Sequence, residues 1–401
     1  MKKTALFLTA ALCFALGLTI PAPAEEAVRV ARGFRYRLLE DGSAEILGYT
    51  GRELQPGLPE VLDGHPVTSI GEEAFCNSRC CMEALTIPAS VTHIASGAFS
   101  MTDLTAIEIP AGVVSMGDNP FSYCASLKTV TVAAGNPVFY VRDGVLFCRE
   151  DHSLVCYPNL AAEPAEDAYE TYTVPAGTEI IRGGAFGGVD TLSDIYLPDS
   201  LRVIGFQAFG FCMGLRSIAI PDSVSEIGDA AFDTCVSLVR AVLPAGLKKI
   251  PSMLFYQCES LSAVDIPETV EEIGDSAFDF CGALKHVRIP DGVTEIGTAV
   301  FEGCSSLETV VIPDSVTGIG DFAFCGCSAL AGIRIPAAAE KIGEYGFSGC
   351  RALKELAIPD SVESIGEHAF DLCPDDLAII CGPDSCAKTY CERNGIAFRT
   401  E

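Results

Sequence analysis

Past its first 20 residues the chain has no apolar run that approaches the roughly 18 residues a membrane-spanning helix needs. Basic residues are also scarce: 26 lysines and arginines face 54 aspartates and glutamates, a formal charge of −28. A surface of that sign repels phosphate backbones and anionic lipid, so nucleic acid and the membrane surface are poor partners. Histidine is thinly spread, and His65, His93, His152, His286 and His368 show no ligand spacing. There is no H-E-x-x-H, G-x-S-x-G, phosphate-cradling glycine loop, EF-hand or C-x-x-C. The expectation is no metal, no cofactor and no enzymatic activity, since repeats and end segments account for almost every residue.

What is present begins with an export signal. Lys2 and Lys3 precede the apolar run Ala5 to Ile20, and Ala22-Pro23-Ala24 has the small-residue pattern of a cleavage site. Residues 1–24 read as a signal peptide, with Cys13 misplaced for a lipoprotein. Its removal leaves 24 basic against 54 acidic side chains, a charge of −30. The expected location is secreted or cell-surface associated.

The dominant signal is periodic. Phenylalanine recurs at Phe186, Phe209, Phe232, Phe255, Phe278, Phe301, Phe324, Phe347 and Phe370, a constant step of 23 residues, and earlier copies centre on Phe75, Phe99 and Phe121. In each unit the segment L-x-x-V-x-I-P, as in Leu284 to Pro290, alternates and is β-branched, which predicts a short strand ended by proline. Pro-Asp-Ser or Pro-Asp-Gly begins a turn, and Gly228, Gly274, Gly297, Gly320, Gly343 and Gly366 are read as permissive backbone at the next bend. Pro251 takes that glycine's place once, which predicts an altered corner. One coil cannot bury its apolar side alone, whereas stacked coils share continuous apolar columns. The expected fold is therefore a repeat solenoid: a β-rich stack of about 12 coils with short parallel strands, about 55–60 Å long at strand spacing.

Cysteine follows the phenylalanine by three at Cys124, Cys212, Cys235, Cys258, Cys281, Cys304, Cys327, Cys350 and Cys373. Coils would bring these residues within disulfide range but with parallel Cβ vectors, so buried free thiols are favoured over a disulfide ladder. Cys148 and Cys156 flank a hairpin turn at Asp151-His152 and could pair if a bulge adjusts the register.

The string I-P-x-S-V-x-x-I-G-x-x-A-F-x-x-C-x-x-L, seen intact from Ile312 to Leu330, resembles the BspA-like leucine-rich repeat of exported proteins from gut and oral anaerobes and some protists. The resemblance implies an N-terminal β cap over 25–66, a repeat solenoid over 67–376 with a hairpin insertion at 132–174, and a C-terminal cap over 377–401. In that cap Asp384 or Ser385 would start a short helix and Gly395 would close it. It also implies an adhesion or protein-binding role.

Strand positions two and four after the column leucine point away from the core. Among them Tyr196, Arg240, His286, Arg288 and Arg334 form the candidate binding face, the arginines standing out on an acidic chain. The leading reading is a monomeric exported solenoid that binds an unknown protein or surface ligand. A self-assembling extracellular component and, less favoured, a hydrolase on an unfamiliar scaffold are the alternatives.

Overall fold

The computed structural model describes residues 27–53, 57–77, 84–160 and 170–400, so the signal peptide expected at 1–24 lies outside the described residues. The L-x-x-V-x-I-P segment forms the predicted strand: in His286–Arg288 the valine is buried between two exposed neighbours. It pairs in parallel with Thr309–Val311, each partner one repeat away. The sequence did not suggest a second, two-residue strand per coil, yet Glu295–Ile296 pairs in parallel with Gly318–Ile319, again 23 residues on. Two ladders sharing one offset force each coil to lie directly over the last.

The nine phenylalanines from Phe186 to Phe370 form one buried row of near-parallel rings, with neighbouring centroids 4.8 to 5.8 Å apart. Rings close the rows edge-on: Phe34 meets Phe75 at 6.5 Å, and Tyr390 meets Phe370 at 5.9 Å. The solenoid runs to about 15 turns. The count exceeds the twelve phenylalanine-bearing repeats because the two ends and the hairpin supply turns with no repeat phenylalanine. At about 4.8 Å per turn the stack rises on the order of 70 Å.

The glycine column has a different cause from the one expected. Gly228, Gly274, Gly320, Gly343 and Gly366 are not among the residues with positive φ. A Cβ on Gly343 would stand 2.4 Å from the backbone nitrogen of Asp321, and on Gly366 2.3 Å from that of Glu344. Glycine is there because the neighbouring coil's backbone leaves no room for a side chain. Positive φ falls instead on the residues two before and two after the phenylalanine, which are glycine in some coils, as at Gly97, Gly184 and Gly303, and bear side chains in others, as at Ser276 and Phe280. At Pro251 the corner is altered as expected. Gly228 and Gly274 donate to Ile204 and Ile250 of the coil before, but proline has no N–H to give; the ladder is interrupted between Glu226–Ile227 and Lys249–Ile250, as it also is between Glu272–Ile273 and Glu295–Ile296, where the corner keeps Gly297.

The hairpin is no surface insertion. Phe139–Arg142, Val145–Cys148 and Ser153–Cys156 form an antiparallel set whose last strand pairs in parallel with Ile180–Ile181. Val145, Phe147, Leu154 and Tyr157 join the C-terminal core, while Leu146, Cys148, Val155 and Cys156 join the N-terminal one. The hairpin is thus a wedge buried on both faces, with Tyr157 stacked on Phe186 at 5.0 Å in the aromatic row. A register shift does occur at Leu146/Phe147, but Cys148 and Cys156 remain unpaired: Cys148 faces Phe139 and Cys156 faces Leu146.

The described cysteines are all free thiols, and the column has a role beyond filling a corner. Each column thiol, from Cys124 to Cys373, donates to the phenylalanine carbonyl of the preceding coil at 3.1 to 3.3 Å. Burial raises the pKa of Cys212, Cys281, Cys304 and Cys327, which keeps these donors protonated. After the last full repeat comes the helix Cys386–Asn394, where Ser385 rather than Asp384 is the N-cap and Gly395 takes φ 69°, and then the strand Ala397–Thr400, which pairs in parallel with Ala378–Cys381.

Candidate functional site

The outward strand residues form two parallel rows along one side of the stack. One row holds Asp194, Ser217, Arg240 and Ala263, paired coil to coil, and continues through His286 and Thr309. The other carries Tyr196, Ala219, Val242, Asp265, Arg288 and Val311 at equivalent slots. Core packing of the intervening Ile218, Ala241, Val264 and Val287 fixes the direction of both rows.

All five candidate residues are exposed on this side, but they are not equally available. Arg288 pairs with Glu268 at 3.2 Å and lies 3.7 Å from Asp291, and Arg334 pairs with Asp314 at 2.7 Å. His286 Nδ1 is 2.8 Å from the hydroxyl of Thr309. Arg240 makes no ion pair among the described residues, and its row neighbours Ser217 and Ala263 are small. Its guanidinium is the one cationic group of the four arginine and histidine candidates that is free to meet a partner.

A charge-centred reading of the sequence passes over what lies beside it. Tyr196 is 61% exposed and Val242 42%, with Ala219 in the slot between. Three successive repeats therefore present a tyrosine, an alanine and a valine to solvent next to an unpaired arginine. The signal was legible as a column, since the same slot holds Asp265, Arg288 and Arg334 in later coils. Towards the C-terminal end of the face, Gly332 leaves its slot empty and residues 331–336 form no strand, opening a shallow groove of about 660 Å³ lined by Arg334, Glu355 and Asp360.

Among the described residues no group of three or more histidine, cysteine, aspartate or glutamate side chains could hold a metal ion, and no helix is long and apolar enough to cross a membrane.

The sequence is 27% identical to a leucine-rich repeat protein from Bacteroides ovatus, whose structure covers 93% of this chain and 99% of its own with a TM-score of 0.51. A leucine rich cell surface protein from Faecalibacterium prausnitzii is 24% identical over 72% of this chain and 96% of its own, with a TM-score of 0.42. The pneumococcal vaccine antigen PcpA shares the fold at 16% identity and a TM-score of 0.50, covering 94% of this chain and 99% of its own. No functionally curated protein matches the sequence. No catalytic family is indicated. Residues 63–150, 179–308 and 294–388 match the family model of the BspA type leucine rich repeat region in six copies, and the chain belongs to that family.

Proposed function

We propose that this protein is an exported binding module that attaches to another protein, at the bacterial surface or in the host environment, through the strand face around Tyr196, Arg240 and Val242. The observation that carries the reading is the exposed strip of Tyr196, Ala219 and Val242 beside the unpaired Arg240, on a chain of formal charge −28. Tyrosine and arginine dominate the energetic centres of protein interfaces, because each offers a large contact area together with directed hydrogen bonds. The paired strands fix the backbone that carries these side chains, so little backbone ordering entropy is lost on association. His286, Arg288 and Arg334 extend the same face, and partner acids would compete there with Glu268 and Asp314. Membership of the BspA type leucine rich repeat family supports a protein-binding role.

The test is capture from host mucus and from extracts of neighbouring bacterial surfaces, with the purified chain as bait. A triple variant, Tyr196→Ser, Arg240→Ser and Val242→Ser, is expected to lose its captured partner by at least about tenfold in affinity, as hot-spot truncations do. A capture profile unchanged by the triple variant contradicts this face as the binding site.

A further inference from the structure

Beside the phenylalanine row runs a corner flank that faces away from the strand rows. Its surface consists of the residues two and three before each phenylalanine and one and two after it. In the later coils the position two before carries the larger Gln207, Met253, Phe322, Tyr345 and His368, with the small Ala230, Ser276 and Ala299 in the coils between. In the coils of Phe99 and Phe186 that position is Gly97 and Gly184, with φ +61° and +63°. The position after the phenylalanine is serine at Ser100 and Ser122. Small residues in adjoining coils sink the surface into a hollow of about 300 Å³ that spans five coils, at the lower end of the range for small-ligand sites.

Hydrogen bonds between coils hold the floor of this hollow. Ser122 Oγ donates to Ser100 Oγ at 3.1 Å, the Asp118 N–H to Ser96 Oγ at 3.0 Å, and the Gly183 N–H to Asp118 Oδ1 at 3.1 Å. Asn119 Nδ2 reaches the Gly184 carbonyl at 2.8 Å. The rim is of two kinds. Phe206 is 57% and Met101 53% exposed, which supplies an apolar part. Glu72 and Glu73 are exposed carboxylates with no cationic partner among the described residues, and no lysine, arginine or histidine lines the hollow.

We propose that this hollow binds a short neutral oligosaccharide, one pyranose ring lying on Phe206 and the sugar hydroxyls meeting the serine hydroxyls and the carboxylates of Glu73 and Asp118. The lining is rich in hydroxyl and carboxylate groups that pair with vicinal sugar hydroxyls, and the exposed phenylalanine offers an apolar platform to the C–H face of the ring. An anionic ligand meets carboxylates with no counter-charge and is repelled. A basic peptide is drawn by the same carboxylates, but the glycine and serine floor offers no apolar recess to anchor its side chains. A preformed, hydrogen-bonded floor suits a rigid ring better than a flexible chain.

The site is separate from the strand face, so its test leaves that reading untouched. Immobilised neutral di- and trisaccharides of glucose, galactose, mannose and N-acetylglucosamine are offered to the purified chain, with hexalysine as a competing probe. At least one sugar is expected to bind, with affinity falling about tenfold in Phe206→Ala and in Glu73→Gln and unchanged in Arg240→Ser. Phe206 and Glu73 are exposed, so a melting temperature equal to wild type shows that both variants remain folded. Binding of no sugar, binding indifferent to Phe206→Ala, or binding of hexalysine in place of sugars overturns the proposal.

Discussion

Asp279 follows the core Phe278 and is only 5% exposed, with its Oδ1 given no hydrogen-bond partner. Burial, and next the charge of Glu302 on the following coil, push its pKa up to about 7, against weaker support for the ionised form from Ser276 and the Phe280 N–H. The thiols of Cys281, Cys304 and Cys325 surround it, and Cys325 is itself raised by burial and by Glu302. A carboxyl whose pKa is higher folded than unfolded holds its proton more tightly in the native state. Stability therefore falls as pH rises from about 4 to about 7, and the deficit is complete above that. Replacing Asp279 with Asn should raise unfolding free energy at pH 8 by about 1–3 kcal/mol and flatten that fall, as read by urea titration at several pH values. An equal or lower stability of Asp279→Asn at pH 8 would show that the ionised carboxylate is well accommodated. Nothing in the repeat pattern marks this residue. The column after the phenylalanine holds Asp233, Tyr256, Asp279, Glu302 and Cys325 in turn, and only the packing decides which is buried. The glycine column carries the same lesson: its spacing was plain from sequence, but its cause, a neighbouring backbone 2.4 Å from where Cβ would stand, belongs to the stack.

At the scale of elements, the buried hairpin is fastened by one side chain. Arg182 donates to the carbonyls of Met116 and Gly117 on the N-terminal side, to Ser153 Oγ on the hairpin, and to Asp151 at 2.7 Å. Burial opposes the Asp151 charge, but hydrogen bonds from Ser153 and Arg182 and the guanidinium charge outweigh it and hold the pKa at about 2. A depressed carboxyl contributes stability above its unfolded pKa, near 4, and loses it as pH falls towards 2. Arg182→Ala should lower stability at pH 7 by about 2–4 kcal/mol, and the difference from wild type should shrink in acid. A loss below about 0.5 kcal/mol would mean that the halves hold together without this clasp. The hairpin and its turn at Asp151-His152 are legible in the sequence. That both faces are buried is not legible there, because Val145–Cys148 is wholly apolar and Ser153–Cys156 has one polar residue at its start, so neither strand alternates to announce an outside.

On the scale of the whole molecule, the repeat step specifies one parallel ladder and a phenylalanine row, while the second ladder of two-residue strands is not legible in it and the free column thiols follow from the shared direction of their Cβ vectors. A period shared by every apolar column can be satisfied only by coils in register. The end turns and the hairpin escape that logic, since Phe34, Tyr157 and Tyr390 occupy or close the aromatic row without keeping the 23-residue step. The strand face was half legible: the outward slots were named from alternation, whereas the ion pairs that occupy Arg288 and Arg334 depend on acids in neighbouring turns. A stack whose coils touch only their neighbours makes a strict energetic demand, that interactions reach one coil and no further. Double-mutant cycles on the phenylalanine row test it most directly. Phe278→Ala should cost about 3–5 kcal/mol. Combined with Phe301→Ala, whose ring lies 5.5 Å away, it should show a coupling energy of about 0.5–3 kcal/mol. Combined instead with Phe370→Ala, four coils distant, the two losses should add to within about 0.5 kcal/mol. Equal coupling for the near and far pairs, or none for the near pair, would contradict the stacked solenoid.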